Sequence, residues 1–316
     1  SKTITFDNIQ QILDRLNKTS IIGEDPTKFW DRDPVTCKLN IINPDLIIKT
    51  KDIQFNNWEQ EECRMHIDHL LKLKVIAPSE SPHRSPAFIV NKSSEQKRGK
   101  SRMVYNYKRL NDNTVEDGYT IPSKEILINR IQNAKWFSKF DLKSGFHQVK
   151  MEPESIKWTA FSCSEGLYEW HVMPFGLKSA PAIFQRKMDN IFNDCKTFTC
   201  VYIDDILIFS KTKEDHYLHL KQVLYKLERY GLIISKGKME ICKNFIEFLG
   251  TEIGNGTIKL QPHISKKIQD FPDKMEDIKT LRSFLGLLNY ARSFIPDLGK
   301  YTAPLYNKTS LKGEKV

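Results

Sequence analysis

Residues Thr197–Ser210 read TFTCVYIDDILIFS, two apolar, β-branched runs broken by Asp204 and Asp205. Val201 and Ile203 before the pair, and Ile206, Leu207 and Ile208 after it, are strand formers, so the segment reads as a hairpin lying on a core. Asp is depleted in strands and favoured in turns, and an isolated Asp-Asp is most simply a β-turn. Here two carboxylates sit beside apolar packing, where an ionised group needs a counter-charge. A divalent cation supplies one. WFSKFDLKSGF, residues 136–146, again ends an apolar strand on a carboxylate, Asp141, which becomes the third ligand if the two strands are neighbours. Hard oxygen ligands suit magnesium, which keeps waters and takes its remaining ligands from substrate phosphates. Two such ions, about 3.5–4 Å apart, activate a nucleophilic oxygen and stabilise a leaving pyrophosphate.

Upstream lies the charge. The chain has 49 Lys and Arg against 39 Asp and Glu, a net +10 that favours a polyanionic partner. Seven cations (Lys92, Lys97, Arg98, Lys100, Arg102, Lys108, Arg109) against Glu95 alone place +6 of that excess between Asn91 and Arg109. Such a run is often only a solvated loop. Its flanks, AFIV and RMVYNY, are strand-like, and SSEQKRG between them is turn-like, which puts the cations on a hairpin tip suited to gripping an anion.

At 316 residues, 40% hydrophobic and 11% aromatic, the chain supplies a packed interior and more than one subdomain. It has no apolar run of membrane-spanning length, and SKTITFDNIQ is not a secretion signal. Six scattered cysteines without a CxxC pair fit a reducing compartment. The pattern predicts an α+β fold. Asn56, with Glu59 three residues on, opens a helix carrying Trp58, Met65, Leu70, Leu71 and Leu73. Ser179 caps a second helix, with Pro181 in its first turn and Phe184, Met188, Ile191 and Phe192 on one face. A third, from Glu214 to Tyr230, stops at Gly231. Strands are expected over 136–141, 147–151, 158–163, 168–172, 197–203 and 206–210, and a hairpin turns at Asn255 and Gly256 before two helices near Ser265 and over 277–294.

Five ordered segments then carry a resemblance. Tyr202-Ile203-Asp204-Asp205 resembles the YxDD motif of reverse transcriptases, and FDLKSGFHQ (140–148) the catalytic-aspartate motif that precedes it. MPFGLKSAPAIFQRKM (173–188) is similar to the segment beneath the nucleotide, and FIEFLG (245–250) to the primer-contacting hairpin. TLRSFLGLLNYARSFIPDL (280–298) resembles the segment after the polymerase core in gypsy-type retrotransposons and plant pararetroviruses. The nearest likeness is to the caulimovirus family, in its tungro bacilliform and badnavirus-like branch.

The resemblance implies a right-hand polymerase: fingers with an N-terminal extension over 1–115, palm 116–149, fingers 150–180, palm 181–255 and thumb 256–316. An RNase H domain is expected beyond this chain, in a longer viral polyprotein that also carries a protease. The implied activity is RNA- and DNA-templated synthesis of DNA from dNTPs. Asp141, Asp204 and Asp205 are the implied metal triad, Asp141 and Asp204 the more direct ligands, for two Mg2+ ions that Mn2+ can replace. Phe146 matches the bulky position that excludes a 2′-hydroxyl, with a plain core aromatic as the other reading. Arg102 and Lys92 match the triphosphate ligands, Asn91 or Lys97 shifting the register of the latter. Phe175 and Gly176 fall where the nucleotide is approached. Lys238, or Lys236, matches a lysine proposed to protonate pyrophosphate, and Phe248, Leu249 and Gly250 form the primer grip. The implied partners are RNA template, DNA template and primer, dNTPs and a hybrid duplex, with no membrane, a monomer, and a location in host cytoplasm or virus particle.

Two other classes remain open on the sequence: a metal-dependent nuclease, which needs neither the basic hairpin nor a gate at Phe146, and an inactive nucleic-acid-binding subunit. Cys63, His66 and His69 have tempting metal spacing but no complementary pair, so they read as ordinary helix residues. Leu281, Phe284, Leu285 and Leu288 read as a packed helix rather than a membrane-surface one. GEDPTKFWDRDP (23–34), with four acids among prolines, reads as a loop without chemistry.

Overall fold

The computed structural model describes residues 6–51, 53–90, 101–131, 133–254, 257–260, 262–271 and 278–291. The expected turn at Asn255–Gly256 and the last residues of the expected C-terminal helix lie outside them. The architecture is α+β, built on two sheets. The first has four strands, in the order Glu240–Lys243, Trp136–Asp141, Asp205–Ser210, Thr199–Tyr202, all antiparallel. The second has five, in the order Ile76–Pro78, Gly166–Trp170, Phe161–Cys163, Ser85–Val90, Arg102–Tyr105. A third, smaller sheet joins Phe245–Phe248, Thr251–Gly254 and Thr257–Leu260.

Both faces of the four-stranded sheet are covered, which explains the near-continuous apolar reading of its central strands. Phe140, Ile206 and Ile208 point into the main core with the helices Ala180–Ile191 and Lys213–Tyr230. Phe137, Cys200 and Leu207 point the other way, into a second cluster with Leu127, Ile246 and Phe248. The long helix is stapled to the sheet from beneath. His216 Nε2 lies 2.7 Å from Ser138 Oγ and its Nδ1 2.8 Å from Ser210 Oγ, and burial pushes the imidazole down to about 4. A neutral ring can serve both hydroxyls, so the polar link is satisfied inside the core.

Local signals explain the helix ends. Asn56 and Glu59 form the expected capping box, with Glu59 N–H donating to Asn56 Oδ1 at 2.8 Å. Of its expected apolar residues, Leu70, Leu71 and Leu73 pack against the core, and Trp58 and Met65 do not. Cys63 and Ile67 are buried, whereas Trp58 and Met65 are 43% and 59% exposed. Gly231 closes the long helix at φ 65°, and a Cβ there would stand 2.3 Å from Phe29 O, so glycine answers both conformation and space. The helix starts at Lys213, one residue ahead of the expected range, and Thr212 caps it by accepting from Asp215 N–H. Ser179 makes no side-chain cap. It already has helical dihedrals, and Ala180 N–H donates to Leu177 O, so Pro181 sits in a turn that begins earlier.

Strand boundaries shift where turns intervene. Residues 147–151 begin not as a strand but as the 3-10 turn Gly145–Gln148, entered through Ser144 at φ 46°, and only Lys150–Met151 pair. Trp158 lies in a second 3-10 turn, so that strand starts at Phe161, and its partner runs over Gly166–Trp170.

The N-terminal segment is part of this core. Asn8 caps a helix, Ile9–Lys18, that buries Ile12 and Leu16, and Arg15 makes a two-pronged pair with Glu228 at 2.8 and 2.9 Å. Ile234 N–H donates to Ile21 O and Gly23 N–H to Ile234 O, laying this segment beside the residues that follow the long helix. The acidic loop has structural work. Glu24 pairs with Lys143, Asp31 with Lys150, and Asp33 with Lys187 at 3.0 Å, the last with side chains only 3% and 2% exposed. Burial lowers the Lys187 pKa despite that partner. Among the described residues no helix is long and apolar enough to cross a membrane.

Candidate active site

The two apolar strands inferred from sequence are direct neighbours. Trp136–Asp141 pairs with Asp205–Ser210 through six residue pairs, and the last sets Asp141 opposite Asp205. On its other side Asp205 pairs with Tyr202, so Ile203 and Asp204 form a two-residue turn. Register alone thus brings three carboxylates from two distant segments to one sheet end. Backbone hydrogen bonds fix the corner: Leu142 N–H donates to Asp204 O at 2.9 Å, and Ser235 N–H to Asp141 O at 2.8 Å.

The turn is strained, because Ile203 has φ 52°, a region that β-branched residues avoid. Gln185 stabilises it. Its Oε1 accepts from Ile203 N–H at 2.7 Å, while Nε2 donates to Val201 O at 2.9 Å and Asp189 Oδ1 at 3.0 Å. Gln185 is fully buried on the helix Ala180–Ile191, so the corner is clamped from below by a side chain without room to leave.

Beneath the carboxylates lies Gly145. A Cβ there would be 2.1 Å from Asp204 Oδ1 and 2.7 Å from Phe184 Cζ, so any side chain displaces the acid. Neither Gln185 nor Gly145 stands out in the sequence. A polar residue interrupting the apolar run AIF-Q, and the Ser-Gly step after Asp141, are the available signals.

The electrostatics are those of an uncompensated acid cluster. Burial, and then Asp141 and Asp205, push the Asp204 carboxyl up to about 7. Burial, Asp141 and a hydrogen bond between the two carboxyls push Asp205 up to about 6. Lys238 Nζ stands 3.6 Å from Asp141 Oδ2, so this lysine reaches the acids; Lys236 lies in the same 3-10 turn. Lys139 also favours the charged form of Asp205, with its Nζ donating to Glu247 O at 3.0 Å. Among the described residues no three acids, histidines or cysteines already surround an ion position. The donor set nonetheless fits a hard divalent cation: three carboxylates converge, and Asp204 Oδ1 is buried without a hydrogen-bond partner.

Around the acids, Phe146 is half-buried and braced by two rings, Phe175 at 5.3 Å and Phe184 at 5.5 Å. The ring packs on the core against Phe184, whose Cζ faces Gly145. Phe175 is 49% exposed beside it. Gly176 has φ 95°, and a Cβ would meet Tyr105 O at 3.2 Å. Asn111, another residue the sequence does not flag, fixes this loop by donating to Gly176 O at 2.9 Å and accepting from Lys178 N–H at 2.8 Å.

Arg102 opens its strand opposite Val90 and is exposed at the root of the basic hairpin. Lys92, with Asn91 and Lys97, lies outside the described residues. Phe248, Leu249 and Gly250 form a hairpin turn with φ 50° and 81° at its two central residues. The Phe248 ring is 2% exposed in the second core cluster, so it anchors the turn and cannot itself touch a duplex.

Residues 90–253 match the family model of reverse transcriptase (RNA-dependent DNA polymerase). Over 315 residues the chain is 49% identical to Polyprotein P3 of Commelina yellow mottle virus, covering 97% of this chain and 17% of that protein. It is 46% identical over 300 residues to the enzymatic polyprotein of Cauliflower mosaic virus (strain Strasbourg), covering 95% of this chain and 44% of the relative. The chain therefore spans less than half of these relatives. Its fold is shared with the foamy viral protease-reverse transcriptase solved in complex with RNA/DNA hybrid, at TM-score 0.74 and 24% identity, covering 98% of this chain and 42% of that one. The motifs, the carboxylate corner and these likenesses agree, and the chain belongs to the reverse transcriptase family, among those of plant pararetrovirus polyproteins.

Proposed function

We propose that this chain extends DNA primers with dNTPs on RNA and DNA templates, using Asp141, Asp204 and Asp205 to hold two magnesium ions, which manganese can replace. The observation that carries the reading is the register that sets Asp141 opposite Asp205 with Asp204 Oδ1 buried and unpartnered. When bound, such ions favour attack of the primer 3′-hydroxyl on the α-phosphate and balance the charge of the departing pyrophosphate. The protein's own residues supply the rest. Asp204 and Asp205, both raised by burial and by Asp141, would hold the cations in their ionised form, and Gln185 and Gly145 keep the corner from relaxing. Phe146, wedged between Phe175 and Phe184, blocks the space of a 2′-hydroxyl. Arg102 offers a planar fork to the triphosphate, Lys92 a second cation, and Gly176 a backbone without a side chain in the way. In this reading Lys238, whose Nζ is 3.6 Å from Asp141 Oδ2, serves as proton donor to pyrophosphate, and the turn at Leu249–Gly250 grips the primer.

The foamy viral relatives were solved with RNA/DNA hybrid and with double-stranded DNA, which supports a nucleic-acid duplex as a partner here. We assign residues 1–115 and 150–180 to fingers, 116–149 and 181–255 to palm and 256–316 to thumb, in a monomer working in host cytoplasm or virus particle. Primer extension with dNTPs and rNTPs on RNA and DNA templates, wild type against Asp204→Asn, tests the assignment. Extension by wild type that is lost in the variant is expected. Extension that survives the substitution, or cleavage without extension, overturns it.

A further inference from the structure

The strand Arg102–Tyr105 begins immediately after Ser101, and that serine is held. Its Oγ lies 2.5 Å from Glu62 Oε2 and 3.1 Å from His66 Nε2. Glu62 and His66 are four residues apart on the helix Asn57–Lys72, so they share one face a turn apart. Cys63 and Ile67, each one residue after a member of this pair, are buried, and the capping box fixes the helix start, which makes this helix a firm support.

The hydrogen bonds run in one direction. A serine hydroxyl has one proton, and 2.5 Å is the length of a charge-assisted O–H···O⁻ bond, so Ser101 donates to Glu62. Its lone pairs then accept from His66 Nε2–H. The result is a chain from His66 through Ser101 to Glu62 in which each group has its partner. The held residue is bonded directly to Arg102, which stands opposite Val90 at the root of the hairpin. A long cationic side chain on a mobile root loses rotational freedom whenever it grips an anion, and a root fixed beforehand reduces that cost.

We propose that Glu62, Ser101 and His66 form a latch that positions Arg102 for the nucleotide triphosphate and so sets dNTP affinity. This rests on the reading of Arg102 as a triphosphate ligand. Ser101, Glu62 and His66 act through Arg102 and are positioning residues. When the latch is open, the hairpin root is in the competent position only part of the time, and apparent affinity falls by that fraction.

The test is single-nucleotide incorporation on a fixed primer–template with dTTP as the probe, for wild type, Ser101→Ala, Ser101→Thr, Glu62→Gln, Arg102→Ala and Ser101→Ala/Arg102→Ala. Ser101→Ala should raise the dTTP KM about ten-fold, the size expected for a lost hydrogen bond to a charged group, with kcat changed less than about two-fold and the melting temperature unchanged. Ser101→Thr keeps the hydroxyl and should restore KM, while Glu62→Gln should fall between. In the Arg102→Ala background, Ser101→Ala should add little, because the two act in series. If Arg102→Ala raises KM while Ser101→Ala does not, or if Ser101→Ala has its full effect without Arg102, the latch is overturned while the triphosphate reading stands. If Arg102→Ala leaves KM unchanged, the triphosphate reading falls and takes the latch with it.

Discussion

Replacing Asp204 by Asn removes a carboxyl that the fold holds above its ordinary range while keeping its shape. Burial first, then Asp141 and Asp205, raise this group from 3.8 to about 7. A carboxyl that binds its proton more tightly in the native state than in the unfolded chain weakens the fold as pH rises. The penalty is absent below the unfolded value of 3.8, grows through the interval and is complete above about 7. Three pH units correspond to about 4 kcal/mol, and water on the open side of the half-buried corner screens this to about 2 kcal/mol. Asn has no charge to bury. In chelator-containing buffer Asp204→Asn should therefore melt about 3–6 °C above wild type near pH 8, and the two curves should converge toward about pH 4. Added Mg2+ should raise the wild-type melting temperature by mass action and leave the variant nearly unmoved. Scanning calorimetry across that pH range checks both. A gap that does not change with pH, or a variant that melts lower near pH 8, would refute the view of Asp204 as an acid held against desolvation.

Other consequences are equally direct. Phe146→Ala should leave dNTP incorporation within about ten-fold of wild type but raise the ratio of rNTP to dNTP incorporation, measured by competition on one template; an unchanged ratio would return Phe146 to a packing role. Gly145→Ala places a methyl 2.1 Å from Asp204 Oδ1, and overpacking of this kind costs about 1–3 kcal/mol, so extension should fall at least about 100-fold with far-ultraviolet circular dichroism unchanged. Lys187→Met leaves Asp33 buried without its counter-charge and should cost about 3–5 kcal/mol in urea unfolding, much of it recovered in Asp33→Asn/Lys187→Met.

The features legible in the sequence are local or periodic. The capping box at Asn56, the stop at Gly231, and apolar runs ending on Asp141 and on Asp204–Asp205 are signals that neighbouring residues read from one another. They suffice for an α+β fold and for singling out the three acids that the register brings to one sheet end. Strand ends fail where the chain turns through 3-10 geometry at Gly145–Gln148 and Lys157–Thr159, because a short turn with a buried aromatic has the same residue pattern as a strand. In the helix over Asn57–Lys72, Cys63 and Ile67 are buried while Trp58 and Met65 stay exposed, since the buried face is chosen by the sheet it meets and not by the helix's own composition.

The tertiary structure alone decided how the acids meet. Which residue of one strand stands opposite Asp205 is a matter of register, and a slip of one residue would send Asp141 to the other face. The Gln185 clamp under Ile203, the close approach of Asp204 to Gly145, the Asp33–Lys187 pair and the hold on Ser101 each join residues far apart in the chain. Composition and periodicity carry only the average environment of a residue, buried or exposed, strand or helix. A hydrogen bond, an excluded methyl or a shared charge depends on distances of a few ångströms between particular atoms, and those distances exist only once the chain has closed on itself.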